Sequence, residues 1–412
     1  MAESSLAETL AQTRIALDLS QEELADAAGV SVDTVARIEQ GKRKQSRPDT
    51  LRKLAGALGV SVEGLLGLAV ERHSSDVDVA PLRRAINADS SIPGLDDDLV
   101  DTREVLTLPE LMASAHAAWQ AYVDGRHGEL LHALPVVLAD ARRAIRNANE
   151  DERAGAHRVL STAYRLGAGI AGRLELDDLA HRAAVRAVDA ARSSDEPEVE
   201  QAISLRYLAW ALVRQNLLAD AERVATRAAA AIEPRMLDRD PVRAGIFGNL
   251  LFNAATAAMN AGSSGRADDL LAAANAAAVR SRGDTATEAA IFGPRVAALQ
   301  RVDFAVRAGD PEQALSLAAT VPTAVGNEVP AFWEAGHRLF LAAAALELRR
   351  EPLALGWLAE ARDLAPDWVR HQPLGKRTMG LLVERTTRRR GVKFAELAAH
   401  YGVGAARGKS QI

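Results

Sequence analysis

Two groups of residues have the types and spacing to do chemistry. The first is cationic: Lys42, Arg43, Lys44, Arg47, Arg52 and Lys53 are opposed by one acid, Asp49. Such a patch grips phosphate, while an acidic remainder of the chain limits non-specific binding; its plain alternative is a solvated loop. Just ahead of it, Asp33 and Arg37 stand four residues apart, the separation of an ion pair on one helical face. The second group is rich in amides. Asn249, Asn253 and Asn260 fall within about 40° of one another at helical periodicity, with Thr256 adjoining them. Asparagine is a poor residue for a helix interior. Its amide both donates and accepts, which suits the backbone of an extended peptide, or alternatively a hydrogen-bond ladder between helices. Other chemistries find no footing. There is no HExxH, phosphate loop or GxSxG, and the nine His are scattered. The absence of Cys rules out disulfides, thiolate nucleophiles and Cys-ligated zinc. The expectation is a protein that is not an enzyme and needs no cofactor or metal.

The elements that position the first group begin at Ser20. Ser20 is an N-cap with Glu23 three residues on, where a capping box needs it. Leu24, Ala25 and Ala28 give this helix an apolar side, and Gly29 ends it. Ser31 caps a second helix, Val32 to Gln40, with Val35 and Ile38 inward. Two capped helices around a tight glycine turn make a helix-turn-helix. A helix over 6–18 precedes them, and two more follow at 50–58 and after Ser61, so residues 1–70 read as one small five-helix domain.

This stretch resembles the lambda-repressor-like (XRE) family. The resemblance rests on Ser20-Gln21-Glu22-Glu23-Leu24-Ala25, Gly29-Val30-Ser31, Thr34-Val35, Arg37-Ile38-Glu39 and Gly41. It continues through Thr50-Leu51, Leu54-Ala55, Ala57-Leu58-Gly59-Val60 and Leu65-Leu66. The loop over 42–48 is a residue or two longer than the family's. The resemblance implies double-stranded DNA as a partner, with the second helix in the major groove. On that register Val32, Asp33 and Arg37 face base edges beside Ser31 and Thr34. Gln21, Gln40 and the loop residues Lys42, Arg43, Lys44 and Arg47 meet the phosphate backbone. It also implies a partly buried, structural ion pair between Arg14 and Glu39.

The remaining chain is alanine-rich, with 48% hydrophobic but only 4% aromatic residues, which favours close helix packing over a β-sandwich. Residues 71–107 read as a polar linker with one short helix. From 108 onward helix follows helix with no convincing strand. Small-residue helices beginning at Ala221, Ala267, Glu312 and Ala354 are spaced 46, 45 and 42 residues apart, and three of the four close on Pro234, Pro322 and Pro366. Periods of this size indicate a solenoid of helical hairpins. The region resembles tetratricopeptide (TPR)-like repeats, with longer helices than their consensus. The expected fold is therefore all-α: a five-helix domain joined to a TPR-like α-solenoid of about six hairpins over 108–373, closed by basic capping helices and a tail over 374–412. That last segment, here from 370 to the end, holds 10 Lys and Arg against 2 Asp and Glu, in a chain of net charge −5.

The combination resembles peptide-pheromone receptors that join such domains. It implies a homodimer on a two-fold-related operator and a peptide or small-molecule effector. Candidate effector residues are Asn249, Asn253, Asn260, Arg206, Trp210, Tyr164, Arg295 and Trp333. No apolar run is long enough to span a membrane and no signal peptide is read at Met1, so the expected location is the cytoplasm, with no membrane partner. The competing reading is an interaction scaffold, or a regulator controlled by a protein partner, with no small ligand.

Overall fold

A computed structural model describes residues 6–42, 47–58, 60, 62–65, 78–89, 92, 104–234, 240–281, 283–324, 329–385 and 390–403. Arg43, Lys44, much of the 71–107 segment and the tail beyond 403 lie outside the described residues. Among the described residues the chain is all-α apart from one small ribbon. It divides into two compact units: residues 1–75 together with 338–412, and residues 76–337.

The first unit opens with α1 (Leu6–Ala16), α2 (Gln21–Ala28), α3 (Val32–Glu39), α4 (Pro48–Leu58) and α5 (Val62–Leu65). The second runs through α6 (Ala80–Asn87), α7 (Leu108–Val123), α8 (His127–Asn147), α9 (Glu150–Arg173), α10 (Asp177–Ala191), α11 (Pro197–Arg214), α12 (Leu218–Ile232), α13 (Pro241–Asn260) and α14 (Ser264–Ser281). After the ribbon β1 (Thr285–Ala286) and β2 (Ile291–Phe292) come α15 (Pro294–Arg307), α16 (Pro311–Ala318) and α17 (Ala331–Glu347), within which the division falls. The first unit then resumes with α18 (Glu351–Leu364), α19 (Pro366–Val369), α20 (Pro373–Glu384) and α21 (Val392–His400).

Local chemistry sets the boundaries of α2 and α3. Ser20 Oγ accepts from the Glu23 amide at 3.1 Å while the Glu23 carboxylate accepts from the Ser20 amide at 2.7 Å, a complete capping box. Gly29 takes a left-handed φ of 59°, and Ser31 Oγ accepts from the Thr34 amide. The core beneath is Leu10, Leu24, Val35, Ile38, Leu54, Leu58 and Leu65. In the same unit α20 and α21 pack against α1. Tyr401, just past α21, is fully buried and donates its hydroxyl to the Leu358 carbonyl at 2.7 Å.

In the second unit the helices from α7 to α16 each pack on their sequence neighbours, and α7, α9, α11 and α13 also stack in succession on one another. A single turn recurs along the chain. Gly125, Glu175, Asn216, Gly262, Gly309 and Arg349 all have positive φ. In each case the next residue's amide donates to the carbonyl five residues back, as in Arg126 to Ala121 and Leu217 to Leu212. This is the six-to-one closure that ends a helix and turns the chain into the next. Small residues make the stacking close: Ala180, Ala183, Ala184 and Ala187 of α10 are wholly buried. The short helix α6 is part of this unit. Arg142 of α8 donates to the Ala85 carbonyl, and Arg186 of α10 donates to the Ala88 carbonyl and pairs with Asp89.

The ribbon departs from the strand-free expectation. It is two residues long on each side, pairing Thr285 with Phe292 and Ala286 with Ile291. Glycines in α13 make room for it: a Cβ on Gly248 would lie 2.0 Å from the Phe292 ring, and one on Gly245 would lie 2.9 Å from Ala290. Adding a methyl at Gly248 should therefore destabilise, although alanine is normally the better helix former by roughly 0.5–1 kcal/mol. At Gly356, inside α18 with nothing near its missing Cβ, the same change should stabilise by about that amount. Thermal melts of Gly248→Ala and Gly356→Ala should shift in opposite directions.

Candidate nucleic-acid interface and candidate ligand site

Val35 and Ile38 are buried under α3, and their burial turns Val32, Asp33 and Arg37 to solvent. Arg37 Nε donates to the Asp33 carboxylate at 2.9 Å, with both side chains largely exposed at 62% and 66%. That pair holds the guanidinium fork over the outer face of the helix and leaves most of its donors open. Ser31 is exposed, and Thr34 is half-buried with its hydroxyl 2.8 Å from Ser31 Oγ. Gln40, Lys42 and Arg47 are exposed beyond the helix end. Arg52 and Lys53 turn back to Asp49, at 3.7 and 3.3 Å.

Arg14 and Glu39 form a two-pronged pair: Nε to Oε1 at 2.6 Å and Nη2 to Oε2 at 2.8 Å. The side chains are only 12% and 7% exposed. Arg14 Nη1 also donates to the Leu19 carbonyl, and Gln21 donates its amide to Glu39 Oε2 at 2.7 Å. The Gln21 donor expected at a phosphate is thus engaged by Glu39, because α2 starts beside the end of α3. One carboxylate takes three hydrogen bonds and ties α1, α2 and α3 together.

Residues 10–65 match the profile of the helix-turn-helix family. The N-terminal segment is an XRE-family helix-turn-helix domain. It is similar to the helix-turn-helix transcriptional repressor RghR of Bacillus subtilis (strain 168), 42% identical over 62 residues, which are 15% of this chain and 46% of that protein. It is also similar to an uncharacterized helix-turn-helix transcriptional regulator, RghRB, of the same organism, 38% identical over 66 residues, 16% of this chain and 48% of that one. The match spans about half the length of each relative.

The candidate effector residues are not brought to one place. Asn249 is buried, 4% exposed, and its Nδ2 has no hydrogen-bond partner among the described residues. One turn on, Asn253 donates to the Arg206 backbone carbonyl at 2.9 Å, the ladder that the stripe admits as its alternative. Asn260 is exposed at the end of α13. The Arg206 guanidinium lies 4.5 Å from the Tyr207 ring centroid, with its Nε unpartnered. Trp210 covers Gly172 and stacks near Arg214. Tyr164 is buried with its hydroxyl 3.3 Å from both Arg142 and Arg186, among the groups that hold α6. Arg295 is forked onto Glu334 at 2.6 and 3.0 Å, so its charge is already balanced. Trp333 is half-buried beside Phe332.

Sequence reasoning missed a cluster next to this set. Arg173, 7% exposed at the end of α9, lies 3.7 Å from the Tyr122 ring centroid and 4.6 Å from that of Phe332. Its Nη1 donates to the Tyr122 carbonyl at 3.1 Å and lies 3.4 Å from His127 Nε2. Burial pulls the Arg173 guanidinium below its ordinary pKa and pushes the Tyr122 phenol above its own. The available signal was an arginine closing the otherwise apolar run Leu166-Gly167-Ala168-Gly169-Ile170-Ala171-Gly172.

Elsewhere a cleft of about 530 Å³ lies among α14, α15 and α16, with Leu271, Asn275, Arg301, Phe304 and Leu317 in its lining; none of the candidate residues reaches it. Among the described residues no group of three or more His, Asp or Glu is placed to hold a metal ion, and no helix is long and apolar enough to cross a membrane.

Two outcomes follow. Glu39→Gln removes the charge that balances Arg14 and should cost on the order of 3 kcal/mol in denaturant unfolding, while Glu22→Gln on the exposed face of α2 should stay within about 0.5 kcal/mol. Asp303 of α15 is buried with His337 Nδ1 at 3.5 Å, and burial raises its carboxyl pKa despite the lowering by His337 and Arg307. A raised acid binds its proton more firmly in the folded state. Its stabilising contribution is complete at low pH and is lost as pH rises through the folded value. Asp303→Asn should therefore raise the melting temperature at pH 7, with a gain that shrinks towards pH 4. A pH series of melts in which the variant is equally destabilised throughout would contradict this.

Proposed function

We propose that this protein is a cytoplasmic transcription regulator that binds double-stranded DNA in a sequence-selective way, as a homodimer, through α3. The observation that carries the reading is the outward display of Val32, Asp33 and Arg37 on a helix whose far end is anchored by Glu39. In this reading Arg37 forks onto guanine O6 and N7, Asp33 holds the fork or accepts from cytosine N4, and Val32 meets a thymine methyl. Ser31 and Thr34 lie at the groove edge. Gln40, Lys42, Arg43, Lys44 and Arg47 follow the phosphates, and Gln21 reaches them with the second hydrogen of its amide, the first being held by Glu39. Two copies on a two-fold-related operator place half-sites about 10 base pairs apart or at a multiple of that, and pairing raises the effective concentration of a module that alone buries little surface.

The helical unit is proposed as the sensor and dimerisation body, a TPR-like solenoid in which successive first helices form one wall, and a peptide or small-molecule effector as its input. A second reading has support of its own. Asn253 is spent on the Arg206 carbonyl and Arg295 on Glu334, as they would be in a partner-controlled regulator with no small ligand.

Binding titrations on matched and scrambled duplexes test the DNA reading. Arg37→Ala should lose about 1–3 kcal/mol of discrimination, while Lys42→Ala should weaken all duplexes about equally and lower the salt slope by about 1. Unchanged selectivity in Arg37→Ala would sink the assignment of base readout to α3.

A further inference from the structure

We propose that the interior of the second unit binds a carboxylate carried on an apolar or aromatic body, through the free edge of Arg173, with Arg206 on the adjoining helix α11. This rests on the sensing role proposed above and names the chemistry of its input.

The argument begins from charge balance. A buried arginine is normally paired, and this unit keeps that rule elsewhere: Arg165 pairs with Glu200, Arg143 with Asp140 and Arg295 with Glu334. Arg173 is as deeply placed, yet among the described residues no carboxylate pairs with it. It stays charged, because guanidinium is too basic to be neutralised by burial. The rings of Tyr122 and Phe332 lie against the guanidinium, and Nη1 is used by the Tyr122 carbonyl. Among the described residues no hydrogen bond reaches Nε or Nη2. That leaves the two-donor edge of the fork, the geometry that takes a carboxylate in two parallel hydrogen bonds.

The neighbourhood has the same bias. Tyr207 is within electrostatic reach of both Arg173 and Tyr122, and Arg206 of Tyr122. Among the described residues Arg206 Nε is a buried donor without an acceptor. Asn249 Nδ2 is another, one helical turn from the Asn253 that bonds the Arg206 carbonyl. Donors without acceptors select an anion over a cation, and the rings of Tyr122, Tyr207 and Phe332 select an apolar or planar body behind the charge.

A carboxylate can come from a free small acid or from a peptide's C-terminus, and the test has an arm for each. The full chain is titrated calorimetrically with phenylacetate and its neutral isostere phenylacetamide, and with an apolar tripeptide bearing a free or an amidated C-terminus. The account expects at least one acid to bind and its amide to bind at least about tenfold more weakly. Whichever acid binds identifies the source. Arg206→Gln, half-buried and the safer variant for folding, should weaken the acid several-fold; Arg173→Gln should weaken it about tenfold or more. If Arg173→Gln fails to fold by circular dichroism, the acid–amide comparison and Arg206→Gln decide the matter. Equal binding of acid and amide, no binding of either acid at millimolar concentration, or full binding retained in Arg206→Gln would overturn the proposal. DNA titrations without probe run alongside. Intact DNA binding with no acid binding sinks only this site, and acid binding with no DNA binding sinks only the DNA reading.

Discussion

The Glu39 carboxylate sits where three helices meet and is shielded from water. It accepts from Arg14 twice and from Gln21 once, and those donors come from α1 and α2. A carboxylate so placed would be unfavourable without its guanidinium, so the three helices can only be buried together. The consequence is positional. With the end of α3 anchored from behind and its start capped by Ser31, the exposed ridge of Val32, Asp33 and Arg37 is held on a rigid element. A recognition surface needs that kind of support, because a fork aimed at a base edge loses its value if the helix beneath it can shift.

The helical unit obeys a different constraint. Its aromatic content is low, so its stability comes from many small contacts between closely approaching helices. Alanine and glycine at the crossings permit the approach, and the larger side chains fill it: Tyr122 over Gly169, Trp210 over Gly172 and Phe292 over Gly248. Such packing leaves little tolerance for extra volume. It also excludes water from the charged groups inside, which is why the pairing of each buried arginine carries weight and why Arg173, with no carboxylate partner among the described residues, stands apart.

How much of this was legible in the sequence depends on the range of the interaction. The α2–turn–α3 unit was readable because Ser20, Glu23, Gly29 and Ser31 all act within a few residues of themselves. The left-handed turns at Gly125, Asn216, Gly262 and Gly309 sit on residue types that favour that conformation. The equivalent left-handed positions at Glu175 and Arg349 were not readable, since neither residue type signals that conformation. The three asparagines of the stripe all lie in α13, but a shared helix does not name their partners. Asn253 meets a backbone carbonyl from another helix, Asn249 Nδ2 has no hydrogen-bond partner among the described residues, and Asn260 meets solvent. The packing of α20 and α21 on α1, the burial of Tyr401 and the contact of Arg173 with rings from α7 and α17 join residues far apart in sequence, beyond the reach of any local pattern.

The central claim is that α3 enters the major groove. Methylation protection tests it most directly, on a duplex enriched by the wild-type protein from a random pool. Dimethyl sulfate attacks guanine N7 in the major groove and adenine N3 in the minor groove. The account predicts guanine protection in two patches separated by about one helical turn or a multiple of it, with minor-groove adenines between them unaffected. Failure to enrich any duplex, or protection confined to minor-groove adenines, would contradict it.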